Sequence, residues 1–304
     1  MHIGIVSLSS RIKPSDLMSV SAAIQKQVTR DFGPIWEIQA TVAAFSSLAD
    51  VPSGYWHVLI VEDDDRLPRN AGGVHLDEHG QPFSLVRAKN GWGLTTSHEV
   101  LEMLADPFGN RRVAGESPAE SQGRVEFLVE VCDPCESADF AYTVDGIFVS
   151  DFYTPKYFDP VASSSASYSY TSAITEPREV LSGGYLSWFE PTSSEWFQLA
   201  NFENGPEIVS LGRLSMEGSM RATIDRLTNA RSDNELNKSM SSIDLSRAKQ
   251  STNQIVEPNR KPYAAAHNAN AESLMREIEK IMQGSINGGQ ASVTKLRRPP
   301  KKGK

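Results

Sequence analysis

TTSHEVLEMLADPFGN, residues 95–110, is the stretch of sequence that decides the expected fold class. Thr95 or Ser97 can cap the start of a helix, because a side-chain oxygen there accepts a hydrogen bond from a free backbone N–H group. Pro107 and Gly109 are typical of the residues that follow a helix end. The stretch therefore predicts one short helix with apolar residues on its buried faces.

The same helix carries an H-E-x-x-E pattern made of His98, Glu99 and Glu102. His98 and Glu102 are four residues apart, so they project from one helix face and can share a metal ion. Glu99 follows His98 as the general base follows the first ligand in the H-E-x-x-H metalloprotease helix. We expect His98 and Glu102 to be metal ligands, Glu99 to be the catalytic base, and the cofactor to be one divalent ion, with zinc as first choice. The alternative is a helix whose three polar side chains are only solvated or salt-bridged.

A third ligand has to come from outside this pattern. Asp106 lies two turns beyond His98, roughly 12 Å along the axis, so it is expected to hold a ligand rather than the ion. Residues 125–137, VEFLVEVCDPCES, alternate like a strand and turn carboxylates to one side. Glu130 is the chosen third ligand, with Asp133 and Glu136 as alternatives.

The segments before the helix indicate an α+β domain with a mixed sheet. Apolar runs bounded by turn residues predict strands, and Leu17, Val20, Ile24 and Val28 are spaced as on one helix face. The predicted order is a strand at 3–8, a helix from about 14 to 32, and strands at 35–45 and 55–61. Residues 74–76 and 83–86, on either side of a turn at His79 and Gly80, are predicted to be a hairpin or an edge segment.

The edge segment suggests how an extended substrate would bind. A peptide could add to the sheet edge between residues 73 and 86, starting at Gly73, because strand addition aligns a backbone for attack. His75, Tyr153 and Tyr157 are candidates for stabilising the negative charge that develops on the substrate.

Four segments together resemble a family of uncharacterised bacterial and phage proteins that are similar to zincin metallopeptidases around the helix. They are SHEVLEMLADP (97–107), EVCDPCE (130–136), DGIFVSDFYTPKYF (145–158) and GGYLSWF (183–189). The resemblance covers roughly residues 3–211 and is strongest from 72 to 158. It implies a zincin-like core with His98 and Glu102 as ligands and Glu99 as base. The chain departs from the peptidase pattern at Glu102, where a second His would stand.

Cys132 and Cys135 are the two cysteines of the chain, which excludes a disulfide scaffold. Their C-x-x-C spacing supplies half of a Cys-only zinc site and lacks the second pair. A local disulfide or two ordinary thiols around a tight turn is the expectation.

Charge divides the chain into two parts. Lys plus Arg number 30 against 38 Asp plus Glu, a formal net charge of −8. Residues 250–304 carry ten bases and four acids, a charge of +6 that leaves −14 on residues 1–249. We expect a zincin-like domain at 1–215, with a β-rich aromatic part at 140–211. Residues 216–304 are expected to be a polar, helical or disordered tail with a basic C-terminus, containing marginal helices after Met216 and a short amphipathic helix at 271–283.

Composition also limits the partners. The sequence has no run of about 18 apolar residues, and its start, MHIGIVSLSS, lacks the basic flank of a signal peptide, so we expect a cytoplasmic protein without a membrane partner. The basic tail allows weak contact with nucleic acid, which the acidic body opposes. The stretch 162–173, ASSSASYSYTSA, predicts an exposed loop over the site or an insertion. The leading hypothesis is a metal-dependent hydrolase acting on peptides or proteins. The alternative is a non-catalytic structural or binding protein on a degenerate zincin fold.

Overall fold

The computed structural model describes residues 1–67, 71–215 and 218–228, and every feature reported below belongs to these residues. They form an α+β arrangement of two five-stranded sheets with helices. No helix in these ranges combines the length and apolarity needed to cross a bilayer. The helix predicted at 271–283 and the basic tail lie outside the described residues.

The first sheet is mixed, as predicted. Its strands are β1 (His2–Ser7), β2 (Thr41–Phe45), β3 (Trp56–Val61), β4 (Gly73–Glu78) and β5 (Gln81–Arg87). The spatial order is β2-β1-β3-β5-β4, with parallel pairing from β2 to β5 and an antiparallel β4 at the edge. The sequence pattern correctly placed the edge hairpin, because His79 and Gly80 both adopt positive φ and close its turn.

The helical layer between β1 and β2 is longer than predicted. α1 (Pro14–Lys26) continues as a π-helix (Gln27–Phe32) and then as α2 (Gly33–Trp36), so the strand predicted at 35–45 begins only at Thr41. Glu37 ends the helix in the left-handed region, at φ 56°. Trp36 remains helical because its indole N–H donates to the Tyr153 carbonyl at 3.0 Å and its ring packs on Phe32.

The helix of the quoted stretch, α3 (Trp92–Ala105), begins earlier than its capping residues suggested. Ser97 is buried, and it donates to the Gln27 side chain at 2.7 Å and accepts from the Ser150 N–H at 2.9 Å. Its hydroxyl therefore joins α3 to the π-helix and to the second half of the chain instead of capping a helix end.

The second sheet is antiparallel and includes strands from before and after residues 162–173, the Ser/Tyr stretch ASSSASYSYTSA. The remaining strands are β6 (Arg112–Glu116), β7 (Arg124–Leu128), β8 (Tyr142–Val144), β9 (Ile147–Val149), β10 (Tyr185–Glu190), β11 (Glu195–Phe202) and β12 (Gly205–Gly212). The order of this sheet is β12-β11-β10-β7-β6, while β8 and β9 form a separate hairpin. β7 ends at Leu128, so Glu130 lies beyond the strand on which the alternation pattern had placed it.

A buried carboxylate anchors the Ser/Tyr stretch that was expected to be exposed. Tyr168 and Tyr170 are buried, and the Tyr170 hydroxyl donates to Asp31 Oδ1 at 2.8 Å. Asp31 is fully buried on the π-helix and also accepts from the Tyr142 hydroxyl at 3.0 Å and from Arg30. The prediction of an exposed loop was therefore wrong for these tyrosines, because the Tyr170 hydroxyl bonds to a buried carboxylate and the Tyr168 hydroxyl accepts from the Ser163 N–H at 2.7 Å.

The last described element is α4 (Met220–Thr228), inside the range predicted to be a polar tail. Met220 and Ile224, one turn apart, are buried in a cluster with Leu128 and Trp196. The Met220 N–H donates to the Asn110 side chain at 2.8 Å. This docking places the next residue, Arg221, against α3.

Candidate functional site

Two segments distant in sequence bring their acids to one buried place. α3 supplies His98 and Glu102, and the segment after β7 supplies Glu130 and Asp133. The three carboxylate side chains are fully buried, and the side chain of His98 is 13% exposed. Burying several acids together is costly unless cations or hydrogen bonds compensate them.

The C-x-x-C turn positions Asp133. A 3₁₀ turn covers Asp133–Cys135, and the N–H of Cys132 donates to Glu102 Oε1 at 2.8 Å. A Cβ added at Gly184 would lie 2.6 Å from the Asp133 carbonyl, so the turn packs against a position that only glycine fills. Both cysteines are buried free thiols. In the structure, the pair shapes the turn that carries the carboxylate.

His98 forms the exposed corner of the cluster. Its Nε2 lies 3.0 Å from Asp133 Oδ1 and 3.8 Å from Glu102 Oε1. Burial alone would lower the pKa of His98, but the contact with Asp133 and the charge of Glu102 outweigh it and raise the pKa to about 10. The His98 ring is therefore a positively charged imidazolium at neutral pH as long as its Nε2 carries a proton and not a metal ion.

Arg221 lies on the other side of the same carboxylates. Its Nη1 contacts Glu102 Oε2 and lies 3.1 Å from Asp133 Oδ2 and 3.3 Å from Glu130 Oε1. Burial raises the pKa of Glu102 and of Glu130 even though the Arg221 charge opposes it. Burial also acts to raise the pKa of Asp133, but Arg221 and His98 together lower it. Asp133 is thus the most firmly ionised of the three acids.

Glu99 faces the edge strand β4 rather than the other acids. Its Oε2 lies 3.9 Å from Nδ1 of His75, and neither atom has a hydrogen-bond partner among the described residues. A Cβ added at Gly73 would lie 2.6 Å from Glu99 Oε1, so the β4 backbone passes directly over this carboxylate. Burial raises the pKa of Glu99 to about 7, which suits a group that takes and returns a proton near neutral pH.

The remaining predicted residues have structural contacts nearby. His75 contacts the Asp106 carbonyl through Nε2 at 3.0 Å, and Asp106 accepts from the Arg111 N–H at 2.7 Å just after α3 ends. Tyr153 is buried, and its hydroxyl accepts from the Glu130 N–H at 3.1 Å. Tyr157 is buried and donates to the Glu179 carbonyl at 3.0 Å, so its hydroxyl is not directed at the acids.

The donor set suits a metal ion on the His98 side. One ligand atom each from His98, Asp133 and Glu136 lie within 4.8 Å of one another. Two N or O donors of one ion at roughly 2.1 Å are at most about 4.2 Å apart, and the 3.0 Å and 3.8 Å distances from His98 Nε2 to Asp133 and Glu102 lie within that limit. The predicted ligands His98 and Glu102 come together here, whereas Glu130 is joined to them through Arg221.

Sequence reasoning missed three site residues, namely Arg221, Asp225 and Tyr185. Asp225 Oδ2 lies 3.5 Å from Nε of Arg221, and Tyr185 hydrogen-bonds to Asp133. The i, i+4 spacing of Arg221 and Asp225, beside apolar Met220 and Ile224, was an available sign of a docked helix. Nothing in the sequence connects that helix with residues about 120 positions earlier.

Comparison with protein-family models, with curated proteins and with solved structures finds no match to this chain. The zincin resemblance stays a prediction that no comparison tests.

Proposed function

We propose that the protein is a metal-dependent hydrolase of the zincin-like kind that uses one divalent ion, with zinc as first choice, to cleave peptides. His98, Glu102 and Asp133 would hold the ion, with Glu136 beside them. The observation that carries the proposal is the cluster of ligand atoms from His98, Asp133 and Glu136, which lie within 4.8 Å of one another. Glu99, on the same helix α3 as His98, is a buried carboxylate whose pKa is raised to about 7 and over which the edge strand β4 passes. An ion bound there supplies Lewis acidity, which lowers the pKa of a coordinated water and polarises a carbonyl.

The chain's own residues supply orientation and proton transfer. Glu99 is buried beside the β4 backbone, where it can accept a proton from the attacking water and return it to the leaving amine. β4 is the last strand of its sheet, and no other described strand pairs with its outer edge. An extended peptide added to that edge would run alongside Gly73, at the point where the β4 backbone lies against Glu99.

A non-catalytic protein on the same fold is the second candidate function. The burial of the cluster favours it, because the side chains of Glu99, Glu102 and Asp133 are at most 4% exposed. His98, beside them, has a side chain that is only 13% exposed.

Metal analysis and one substitution separate the two candidates. The full chain purified from zinc-replete medium is expected to hold about one ion per chain. It should cleave fluorescein-labelled casein or members of a mixed-sequence peptide library. Glu99→Gln should retain the ion and lose about 10²–10⁴-fold in cleavage rate, since a general base contributes that much.

Glu126→Gln is the matched control, because Glu126 is a partly exposed acid on β7 paired with Arg112. Glu126→Gln should leave both the number of ions per chain and the cleavage rate unchanged. Less than about 0.2 ion per chain would overturn the metal proposal. Metal-loaded protein without cleavage of either probe would favour the non-catalytic candidate. Glu99→Gln protein that cleaves normally would instead eliminate Glu99 as the base.

A further inference from the structure

Glu102 and Asp133 each direct one carboxylate oxygen toward His98 and the other toward Arg221. Glu102 Oε1 and Asp133 Oδ1 lie 3.8 Å and 3.0 Å from Nε2 of His98. Glu102 Oε2 and Asp133 Oδ2 instead contact Nη1 of Arg221. The two acids therefore bridge a position on the His98 side and a position on the Arg221 side.

The position on the Arg221 side has the donor set of a cation site. One oxygen each from Glu102, Asp133 and Glu130 surrounds a single nitrogen, and the longest of these contacts is 3.3 Å. Glu130 Oε2 is buried and has no hydrogen-bond partner in the described part of the chain. Carboxylate oxygens in this number are what hard divalent cations take as ligands.

We propose that Arg221 fills the second cation position of a carboxylate-bridged centre and so limits the centre to one metal ion, on the His98 side. The occupant of the His98 side rests on the proposed function. The assignment of the Arg221 side does not, because a positive group of the chain itself already stands there.

Helix α4 holds the guanidinium at this position. The backbone N–H of Arg221 donates to the Gly109 carbonyl at 3.0 Å, and Nε lies 3.5 Å from Asp225 Oδ2. Gly109 has a positive φ, and a Cβ there would lie 3.0 Å from Cβ of Arg221. A guanidinium keeps its charge at every accessible pH and cannot be a metal ligand. It therefore compensates the three acids permanently without offering an atom to the ion.

The test counts ions on the full chain. Wild type and Arg221→Ala are equilibrated by dialysis with Zn²⁺ or Mn²⁺, and bound metal per folded chain is measured by mass spectrometry after gel filtration. Arg221→Ala leaves the three oxygens around an empty volume, so it should bind one ion more than wild type, two against one. Arg226→Ala is the matched control, because Arg226 is exposed one turn-and-a-half further along the same helix and should bind as wild type does.

The outcomes separate this inference from the proposed function. Equal stoichiometry in wild type and Arg221→Ala, one ion or none, overturns the second position, and a count of none also overturns the metal proposal. No ion in wild type and one in Arg221→Ala supports the second position and overturns the metal site on the His98 side. Two ions in wild type overturn the inference alone.

If Arg221→Ala does not fold even in the presence of metal, Arg221→Lys is the variant that tests the proposal. An ammonium is a compact positive charge with three donors, which suits three surrounding oxygens. Arg221→Lys should fold, as judged by circular dichroism, and bind the same number of ions as wild type. An Arg221→Lys chain that does not fold, or that takes an additional ion, overturns the inference.

Discussion

Gly73→Ala tests the close approach of β4 to Glu99. The new Cβ would meet Glu99 Oε1 at 2.6 Å, its Cγ at 2.7 Å and Thr95 Cγ2 at 2.8 Å, all closer than side-chain atoms approach one another. Glu99 is 3% exposed and cannot move aside into solvent. Overpacking of this kind costs about 1–3 kcal/mol, whereas replacing glycine by alanine at an unstrained backbone contributes about 0.4–1 kcal/mol of stability. The net expectation is a loss of about 1–2 kcal/mol in the free energy of unfolding.

Urea unfolding of the full chain measures this loss, and Gly93→Ala is its control. At Gly93, in the first turn of α3, a Cβ meets Val20 Cγ2 at 3.1 Å, a contact that a small shift relieves, so stability should change by less than about 1 kcal/mol. If Glu99 is the base, Gly73→Ala should also slow cleavage about 100-fold, since displacing a catalytic group by 1 Å can cost that much. A Gly73→Ala chain with wild-type unfolding midpoint and cleavage rate would refute the argument.

Two further predictions concern buried acids away from the site. Tyr170→Phe removes a hydrogen bond to the charged Asp31 and should lower the free energy of unfolding by about 1.5–3 kcal/mol. The control Tyr168→Phe loses a bond with a neutral backbone N–H and should lower it by about 0.5–1.5 kcal/mol. Equal losses for the two variants in urea unfolding would contradict this prediction. Burial raises the pKa of Asp151 to about 6, above its unfolded value near 3.9, so the stability it contributes is complete below about pH 4 and falls by about 3 kcal/mol as pH rises through 6. Asp151→Asn should remove that part of the decline in urea midpoint between pH 4 and 7, and an unchanged slope would sink the assignment.

The helix α3 and its polar face were predictable because their signals are local. Spacing alone places His98 and Glu102 on one face, and the structure brings Glu102 Oε1 within 3.8 Å of His98 Nε2. The edge hairpin was predictable for the same reason, since its turn residues and apolar flanks are adjacent in sequence. Local patterns thus gave the scaffold of the site.

The other site residues depend on where chain segments meet. Alternation continues past Leu128 in sequence, but the strand does not, because the turn at Asp133–Cys135 redirects the backbone toward α3. As a result Asp133, rather than Glu130, faces His98. Arg221 could not be paired with Glu102 from spacing of any kind, since 119 positions separate them.

Predictions from patterns of polarity were also wrong where polar side chains make buried hydrogen bonds. The stretch 162–173 has the serine content of an exposed loop, yet the Tyr170 hydroxyl donates a hydrogen bond to the carboxylate of Asp31. No local sequence pattern indicates that contact. The six-residue π-helix that carries Asp31 is likewise indistinguishable in sequence from the α-helix before it.

The docking of α4 has a consequence for the order of events during synthesis. Glu102, Glu130 and Asp133 leave the ribosome long before Arg221, so the nascent chain carries three acids for which His98 is present but the counter-charge of Arg221 is not. Until residue 221 emerges and α4 packs on Leu128 and Trp196, the acids that His98 does not compensate must remain in water, bind protons or bind cations from the surroundings. The buried centre can therefore close only late, after nearly all of the described chain has been made.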